Sequence, residues 1–351
     1  MTTLAVDLAC TDGALRALAP EWEELWSRVP ESTPFQSPAW LLPWWETFGM
    51  GRPRLATLRA DTGRLIGLLP LYVLDEPGER KLLLIGAGTT DYRDVLLAPE
   101  APADAAERLL GAALFDAARA GVTACDLTEL PPGSPLRGVA PPPGWREASR
   151  WEQPCTVLML PAGATALKQV VPPDRLRHLR LAWNRARRAG GWTTELAGPD
   201  SLDGLLEELI RLHQDRWIAA GEPGVFADPR VAAFHRSAAP GLLARGLLRL
   251  AVLRLGGRVA AAYYVLLAGA GPPRERVRGD LGGRMLFYLC GYDPAWARES
   301  PGAILLAAIT EAALREGWRE LHFLRGGESF KYTWGAIERL NAARRLVPIA
   351  R

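Results

Sequence analysis

The sequence predicts a mixed α/β protein, with the strands of a mixed (α+β) sheet alternating with helices in two similar units arranged in tandem. Three observations carry this. Apolar runs that alternate in twos are interleaved along the chain with stretches that repeat in threes and fours, the periods of strands and of one-sided helices. The order hairpin, strand, helix, strand occurs twice. Gly63 and Gly257 mark the hairpin turns, Asp104 and Gly302 the helix starts, and Asp126 and His322 the last strands, each pair a little under two hundred residues apart; self-similarity at a fixed offset argues duplication. Between the two halves, residues 131–144 hold six prolines, which fix the backbone and remove donors. The predicted units are therefore 1–150 and 151–351, and a cleft between them is the expected ligand site.

The bulk properties fit that architecture. A chain of 351 residues with 48% apolar and 23% charged side chains has the length for two cores and the composition of an ordinary globular protein. A net charge of +3 excludes a strongly basic nucleic-acid coat protein and leaves room for a local basic patch. Cys10, Cys125, Cys155 and Cys290 are scattered, without C-x-x-C or histidine at ligand spacing, so no metal site is expected. The N-terminus lacks the pattern of a signal peptide. The longest apolar run, Val259 to Ala270, is too short to span a bilayer. The expected location is the cytoplasm.

In the first half, Asp12 caps a predicted helix running from Gly13 to Val29, with Leu15, Leu18, Trp22, Leu25, Trp26 and Val29 on one face. Ser37-Pro38 opens a second helix, which carries Trp40, Trp44 and Trp45 and ends at Gly49. Crowded indoles of this kind read as packing. A hairpin (Leu55–Arg59 and Leu65–Val73, turning at Asp61-Thr62-Gly63) and a strand, Lys81–Ile85, follow. Gly86-Ala87-Gly88 has no third glycine in place and opens no helix, so it is not a dinucleotide fingerprint. Asp91 and Tyr92, just beyond it, are candidate cleft residues that would contact substrate. A helix from Asp104 to Ala120 and a strand from Val122 to Leu127 complete the unit.

In the second half, Cys155–Leu160 is a strand, and a helix over 174–189 sets one apolar stripe (Leu176, Leu179, Trp183, Ala186) against Arg175, Arg177, Arg180, Arg185, Arg187 and Arg188. That face is either simply solvated or a docking surface for something anionic; it has no interleaved aromatics for stacking bases. On the helix Leu202–Ala220, His213 and Trp217 are four residues apart and share a face. A helix from 229 to 245, a hairpin (Leu247–Leu255 and Arg258–Leu267), a strand to Cys290, a helix opening at Ser300-Pro301-Gly302, and strands at Arg319–Leu324 and Val347–Ala350 follow. The most chemically crowded stretch comes after the first of these last two strands. Arg325-Gly326-Gly327 ends it abruptly, and within ten residues the chain presents Arg325, Glu328, Lys331, Tyr332 and Trp334. These are either a capped loop with Arg325 paired to Glu328, or one wall of a site.

Four stretches, PFQSPAWLLPWWETFG, RLHQDRWIAAGEPGVFADPRVAAFH, GYDPAWARESPGAILLAAI and FLRGGESFKYTWGA, resemble the GNAT-type acyltransferase domain of the CelD-like, cellulose-biosynthesis-associated group. The likeness covers most of the chain and is strongest after Leu205. That group is similar in architecture to the Fem-type aminoacyl-tRNA-dependent transferases, which carry two GNAT-like units. The resemblance implies a thioester donor, acyl-coenzyme A or acyl carrier protein, lying beside a strand that splays from its neighbour. Leu289, Cys290 and Gly291 would lie on that strand, and Ser300, Pro301 and Gly302 would start the helix that receives the donor's phosphates. The usual pyrophosphate motif of the superfamily is absent, and Glu299 stands at that place.

The expected chemistry is N-acylation of an amine acceptor, a small molecule or a peptide, by direct attack. Glu328 is the first candidate base and His213 the second. Tyr292 or Tyr332 would protonate the departing thiolate, while Trp217, Arg325 and Lys331 would contact substrate. The helix over Arg175–Arg188 would dock an acyl carrier protein or, as a weaker alternative, tRNA. The competing readings are a Fem-type aminoacyl-tRNA-dependent transferase and a non-catalytic binding protein on a degenerate GNAT fold. No Gly-x-Ser-x-Gly elbow and no kinase or P-loop glycine pattern is present.

Overall fold

The computed structural model describes residues 5–269 and 282–349. The chain forms two compact units, one containing the residues up to Pro154 together with those from Leu340, the other Cys155–Arg339. The first carries β1 (Val6–Ala9), α1 (Asp12–Ala17), α2 (Ala19–Arg28), α3 (Pro38–Phe48), β2 (Arg52–Arg59), β3 (Leu65–Glu76), β4 (Glu79–Leu84), β5 (Leu96–Leu97), α4 (Ala105–Arg119) and β6 (Ala124–Leu130). β7 (Trp145–Met159) then leads into the second. That unit contains α5 (Pro173–Arg188), β8 (Trp192–Leu196), α6 (Leu202–Ala219), α7 (Pro229–Ala244), β9 (Leu248–Leu255), β10 (Arg258–Ala268), β11 (Arg284–Tyr292), α8 (Pro301–Glu316), β12 (Glu320–Arg325) and α9 (Ser329–Thr333). β13 (Ile337–Pro348) returns to the first. Ala350, the end of the last predicted strand, lies outside the described residues.

The internal duplication has a direct structural form. In the first unit the strand order is β1-β2-β3-β4-β6-β13, with β4 and β6 parallel. In the second it is β8-β9-β10-β11-β12-β7, with β11 and β12 parallel. The last strand of the first unit comes from the far end of the sequence, where Ala342–Leu346 of β13 pairs with β6, whereas that of the second unit is its own opening segment, Cys155–Met159 of β7, paired with β12. The tandem boundary read from the prolines misses this return, because residues 340–351 belong with the first unit and not the second. Both β6 and β12 also carry an irregularity near the end, where Glu129 (φ 60°) and Leu324 (φ 59°) adopt the left-handed conformation that side chains other than glycine rarely take. They too are a little under two hundred residues apart.

The predicted helix from Gly13 to Val29 is two helices. Pro20 has no N–H to donate and crowds the carbonyl of Arg16, so α1 stops at Ala17 and α2 begins afresh at Ala19. The indoles of α3 are packing groups, as read from the sequence: Trp40 and Trp44 are buried, and their Nε1 atoms donate to Thr90 and Thr89 at 2.9 and 2.7 Å. In the second unit, neighbouring side chains on β10 point to opposite faces. Tyr263 joins a core with Leu179 of α5 and Ile304 of α8, whereas Tyr264 meets His235 of α7, ring centroids 5.2 Å apart.

Candidate functional site

The site begins with a strand pair that separates. β11 and β12 run parallel only from Arg284 to Leu286, opposite Glu320 to His322. β11 then continues to Tyr292, so a wedge opens between its second half and β12. A bulge lies at the same point on its other side. Tyr264 of β10 is opposite Leu289 and Val265 opposite Phe287, which leaves Tyr288 as an extra residue. Such bulges bend a strand and re-aim its side chains.

A cavity of about 310 Å³ occupies this region. β11 contributes Cys290, Gly291 and Tyr292, the start of α8 contributes Ser300, Pro301 and Gly302, and Phe330 and Trp334 close it from the motif after β12. Pro301 is the first residue of α8, where a missing N–H costs nothing. Ser300 before it has φ 53° and ψ 54°, and its side chain makes no capping bond. The N–H groups of Ala303 and Ile304 donate to the Ser300 carbonyl at 3.0 and 3.2 Å, so the first turn presents the Gly302 N–H and the positive end of the helix dipole. A Cβ added at Gly302 would meet nothing within 4 Å.

Two arginines complete the lining. Arg175 of α5 is half-buried, with its guanidinium carbon 4.9 Å from the centre of a Trp334 ring. Burial lowers its pKa, yet an arginine stays charged. Arg216 of α6 donates to Cys290 Sγ at 3.3 Å and stacks over Tyr292 at 5.5 Å. Neither has a carboxylate partner among the described residues. Burial raises the Cys290 pKa, and Arg216 opposes this in part. The cavity therefore offers two cations and a helix N-terminus to an anion, and Tyr263, Phe330 and Trp334 to an apolar chain.

Leu289, adjacent to the lining residues, pairs with Tyr264. Gly291 is required by packing: a Cβ there would lie 2.4 Å from the His213 nitrogen of α6. Glu328 stands at the N-cap of α9 without a side-chain capping bond; its side chain is 57% exposed and 2.8 Å from Lys331 Nζ. Its charge reaches Cys290, whose pKa it raises.

Several candidates do not gather there. Lys331 is buried, and its Nζ donates to the carbonyls of Arg325 and Gly326 at 2.6 and 3.0 Å besides pairing with Glu328. It clamps the turn instead of facing a ligand. Arg325 is exposed at the end of β12. Tyr332 donates its hydroxyl to Glu338, which raises its pKa. His213 is packed edge-on against Phe226, on the α7 side, and its Nε2 accepts from Trp217 Nε1 at 2.9 Å. Burial pushes its pKa down to about 4. His213 and Trp217 line no part of the cavity. Asp91 and Tyr92 are buried in the first unit, Tyr92 with φ 47° and its ring 6.4 Å from Phe35.

Sequence reasoning missed Arg216, Tyr263 and Phe330. Arg216 lies inside the quoted His213–Trp217 stretch, but its neighbours had the more conspicuous chemistry. Tyr263 sits on a strand of the second hairpin, and Phe330 lies inside the crowded stretch after β12, where its charged neighbours drew the attention. Arg175 was read only as part of a charged face. Among the described residues, no group of three or more His, Cys, Asp or Glu is placed to hold a metal ion, and no helix is long and apolar enough to cross a membrane.

Residues 173–271 and 279–332 match the family model described as acetyltransferase (GNAT) domain. The matched residues, a little under half of the chain, carry the wedge and all of the cavity lining except Trp334. No curated protein matches. Among solved structures, the chain is similar to FemX, at 11% identity and TM-score 0.64, over 93% of this chain and 95% of that one. It is similar to the C-terminal domain (DUF2156) of a putative lysylphosphatidylglycerol synthetase from Agrobacterium fabrum, at 13% identity and TM-score 0.54, over 93% and 92%. A tandem GNAT protein from the clavulanic acid biosynthesis pathway matches at 13% identity and TM-score 0.52, over 99% of both chains.

Proposed function

We propose that this protein is an N-acyltransferase that moves an acyl group from a thioester donor, acyl-coenzyme A or an acyl carrier protein, to an amine acceptor by direct attack. The observation that carries the reading is the opening of β11 from β12 onto a cavity that ends at the uncapped start of α8. A pantetheine arm is extended, carries amides, and ends in phosphate. The unpaired edge of β11 suits its amides, and the start of α8 with Arg175 suits its phosphate.

The acceptor amine attacks the thioester carbonyl while Glu328 takes its proton, directly or through one water. A backbone N–H in the Leu289–Gly291 stretch holds the oxyanion as the tetrahedral intermediate forms. The C–S bond then breaks, and the thiolate leaves with a proton from Tyr292, the phenol that lines the cavity. Arg216, stacked on Tyr292, orients the ring. His213 has no part in this scheme, since its lone pair is taken by Trp217.

The test is thiol release from acetyl-coenzyme A and from an acetylated carrier protein in the presence of a panel of small amines and amine-bearing peptides. With an accepted pair, Glu328→Gln should lower kcat by about 10²–10⁴-fold, and Tyr292→Phe should lower it less. An unchanged kcat removes Glu328 as the base. Absence of thiol release from both donors across the panel overturns the transferase reading.

A further inference from the structure

α5 carries its charge in an uneven way. Arg177, His178, Arg180, Arg185, Arg187 and Arg188 are all exposed. The only acid on the helix is Asp174, which pairs with Arg177 at 3.1 Å. In the middle of this surface Leu181 is 48% exposed. Residues 177, 181, 185 and 188 fall on one face at helical spacing, so the apolar side chain is ringed by guanidinium groups. Near its N-terminal end α5 places Arg175 in the cavity. Near its C-terminal end, Arg185 Nη1 donates 2.9 Å to the carbonyl of Arg298, two residues before the cap of α8. The basic face and the cavity are thus two sides of one helix, tied to the start of α8.

We infer that this face of α5 docks an acidic carrier protein whose phosphopantetheine arm enters the cavity, so that the thioester arrives protein-borne and not as free coenzyme A. The inference rests on the transferase reading and names its donor. Charge complementarity identifies the partner. An acidic helix laid along α5 meets six cationic or protonatable side chains, and Leu181 supplies the apolar centre that protein interfaces have and phosphate backbones do not use. A nucleic acid would meet no aromatic side chain exposed on α5, since Trp183 is partly buried against the core. The cavity points the same way. Glu299 stands immediately before Ser300, where a second and third phosphate of free coenzyme A would add negative charge. A carrier's arm brings a single phosphodiester, which the start of α8 and Arg175 suffice to hold.

The experiment compares fluorescently labelled holo acyl carrier protein, acetyl-coenzyme A and bulk tRNA in direct binding to the full chain, and reads thiol release from the two acetylated donors. The inference expects saturable carrier binding, a kcat/KM at least tenfold higher for the carrier-borne acetyl group, and binding that weakens with salt. The triple substitution Arg177→Glu, Arg180→Glu, Arg188→Glu should weaken carrier binding at least tenfold. Leu181→Gln, a change to one exposed side chain, should weaken it several-fold and serves where the triple variant is poorly folded. Carrier binding that is absent, or indifferent to both variants, overturns the docking surface. So does tRNA binding that is tighter than the carrier's and lost in the triple variant. If acetyl-coenzyme A is consumed while the carrier is neither bound nor consumed, this inference fails and the transferase reading stands. If neither thioester is consumed, both fail.

Discussion

The two units share a frame and differ in what happens just past the parallel strand pair. In the second, β11 runs on to Tyr292 and leaves a cavity beside its second half, closed by Phe330 and Trp334 from the motif after β12. In the first, β4 stops at Leu84, and the chain folds back so that Arg93 fills the corresponding place. The Arg93 backbone N–H donates to the Glu129 carbonyl at 3.0 Å, and its guanidinium reaches the Leu84 carbonyl and the Thr128 hydroxyl. Asp94 beside it accepts from Ser134 Oγ at 2.7 Å and from the Val95 N–H at 2.8 Å. Glu129 in turn accepts from Asn341 at 3.1 Å and from Gln153. One copy has its wedge closed by its own polar loop, and the other leaves it open. The lesson is that a duplicated frame does not duplicate a site. The loop after the strand decides whether the wedge is a core or a pocket.

The closed wedge should show itself as a pH dependence. Burial raises the Asp94 pKa to about 7, against the ordinary 3.8, with the bonds from Ser134 and Val95 opposing only in part. The folded state then holds a proton that the unfolded state releases, so stability is highest below the ordinary value and falls as pH rises from about 4 to 7. The full span is on the order of 4 kcal/mol for a shift of this size. Asp94→Asn keeps an acceptor for Ser134 and removes the ionisation. Urea unfolding from pH 4 to 8 should show the wild type losing stability over that window and the variant losing less, ending more stable at pH 8. Parallel pH profiles for the two proteins would mean that the loop is hydrated and does not seal the wedge.

The next largest effect belongs to the turn that ends β12. Lys331 is a buried cation held by two close carbonyl contacts and Glu328. Replacing it with methionine leaves those carbonyls without a donor, at a cost of about 2–3 kcal/mol. Denaturant unfolding reads this directly. A loss below about 0.5 kcal/mol would indicate that Lys331 is free to turn toward a ligand, as its sequence context first suggested.

Much of this frame is legible in the sequence because it rests on periodicity and turn chemistry. The hairpins, the parallel strands and α4 and α8 follow from local patterns of apolar residues and glycines. The duplication was readable from Gly63 and Gly257 or Asp126 and His322, despite the lack of residue identity between the halves. The return of β13 to the first unit was not, because its pairing with β6 is non-local and β13 alternates like any strand. The site was legible by segment and less so by residue. The segment from Cys290 to Gly302, singled out by the family resemblance, runs from the end of β11 to the start of α8 and lines the cavity at both ends. The polar cluster after β12 is ambiguous in sequence: a charged residue in a dense motif looks the same whether it lines a cavity, as Arg216 does, or binds its own backbone, as Lys331 does. Asp91 and Tyr92 were read as cleft residues for the same reason. Polar groups next to glycines mark a special backbone, and here that backbone serves to bury them.

The finest contrast between the units lies at the second residue of the helix after the wedge. Gly302 in α8 borders open space, whereas Ala106 in α4, its counterpart, is 4% exposed. Leucine at position 302 fills the cavity beside the start of α8 and replaces a glycine in a helix, a change worth about 0.5–1 kcal/mol in favour of folding. Leucine at position 106 has no space to enter, and overpacking costs about 1–3 kcal/mol. Gly302→Leu should therefore keep or raise the melting temperature while lowering affinity for acetyl-coenzyme A or the carrier at least tenfold, and Ala106→Leu should lower the melting temperature while leaving affinity alone. If both variants destabilise equally, the wedge of the second unit is as closed as that of the first, and the open-versus-sealed distinction does not describe this protein.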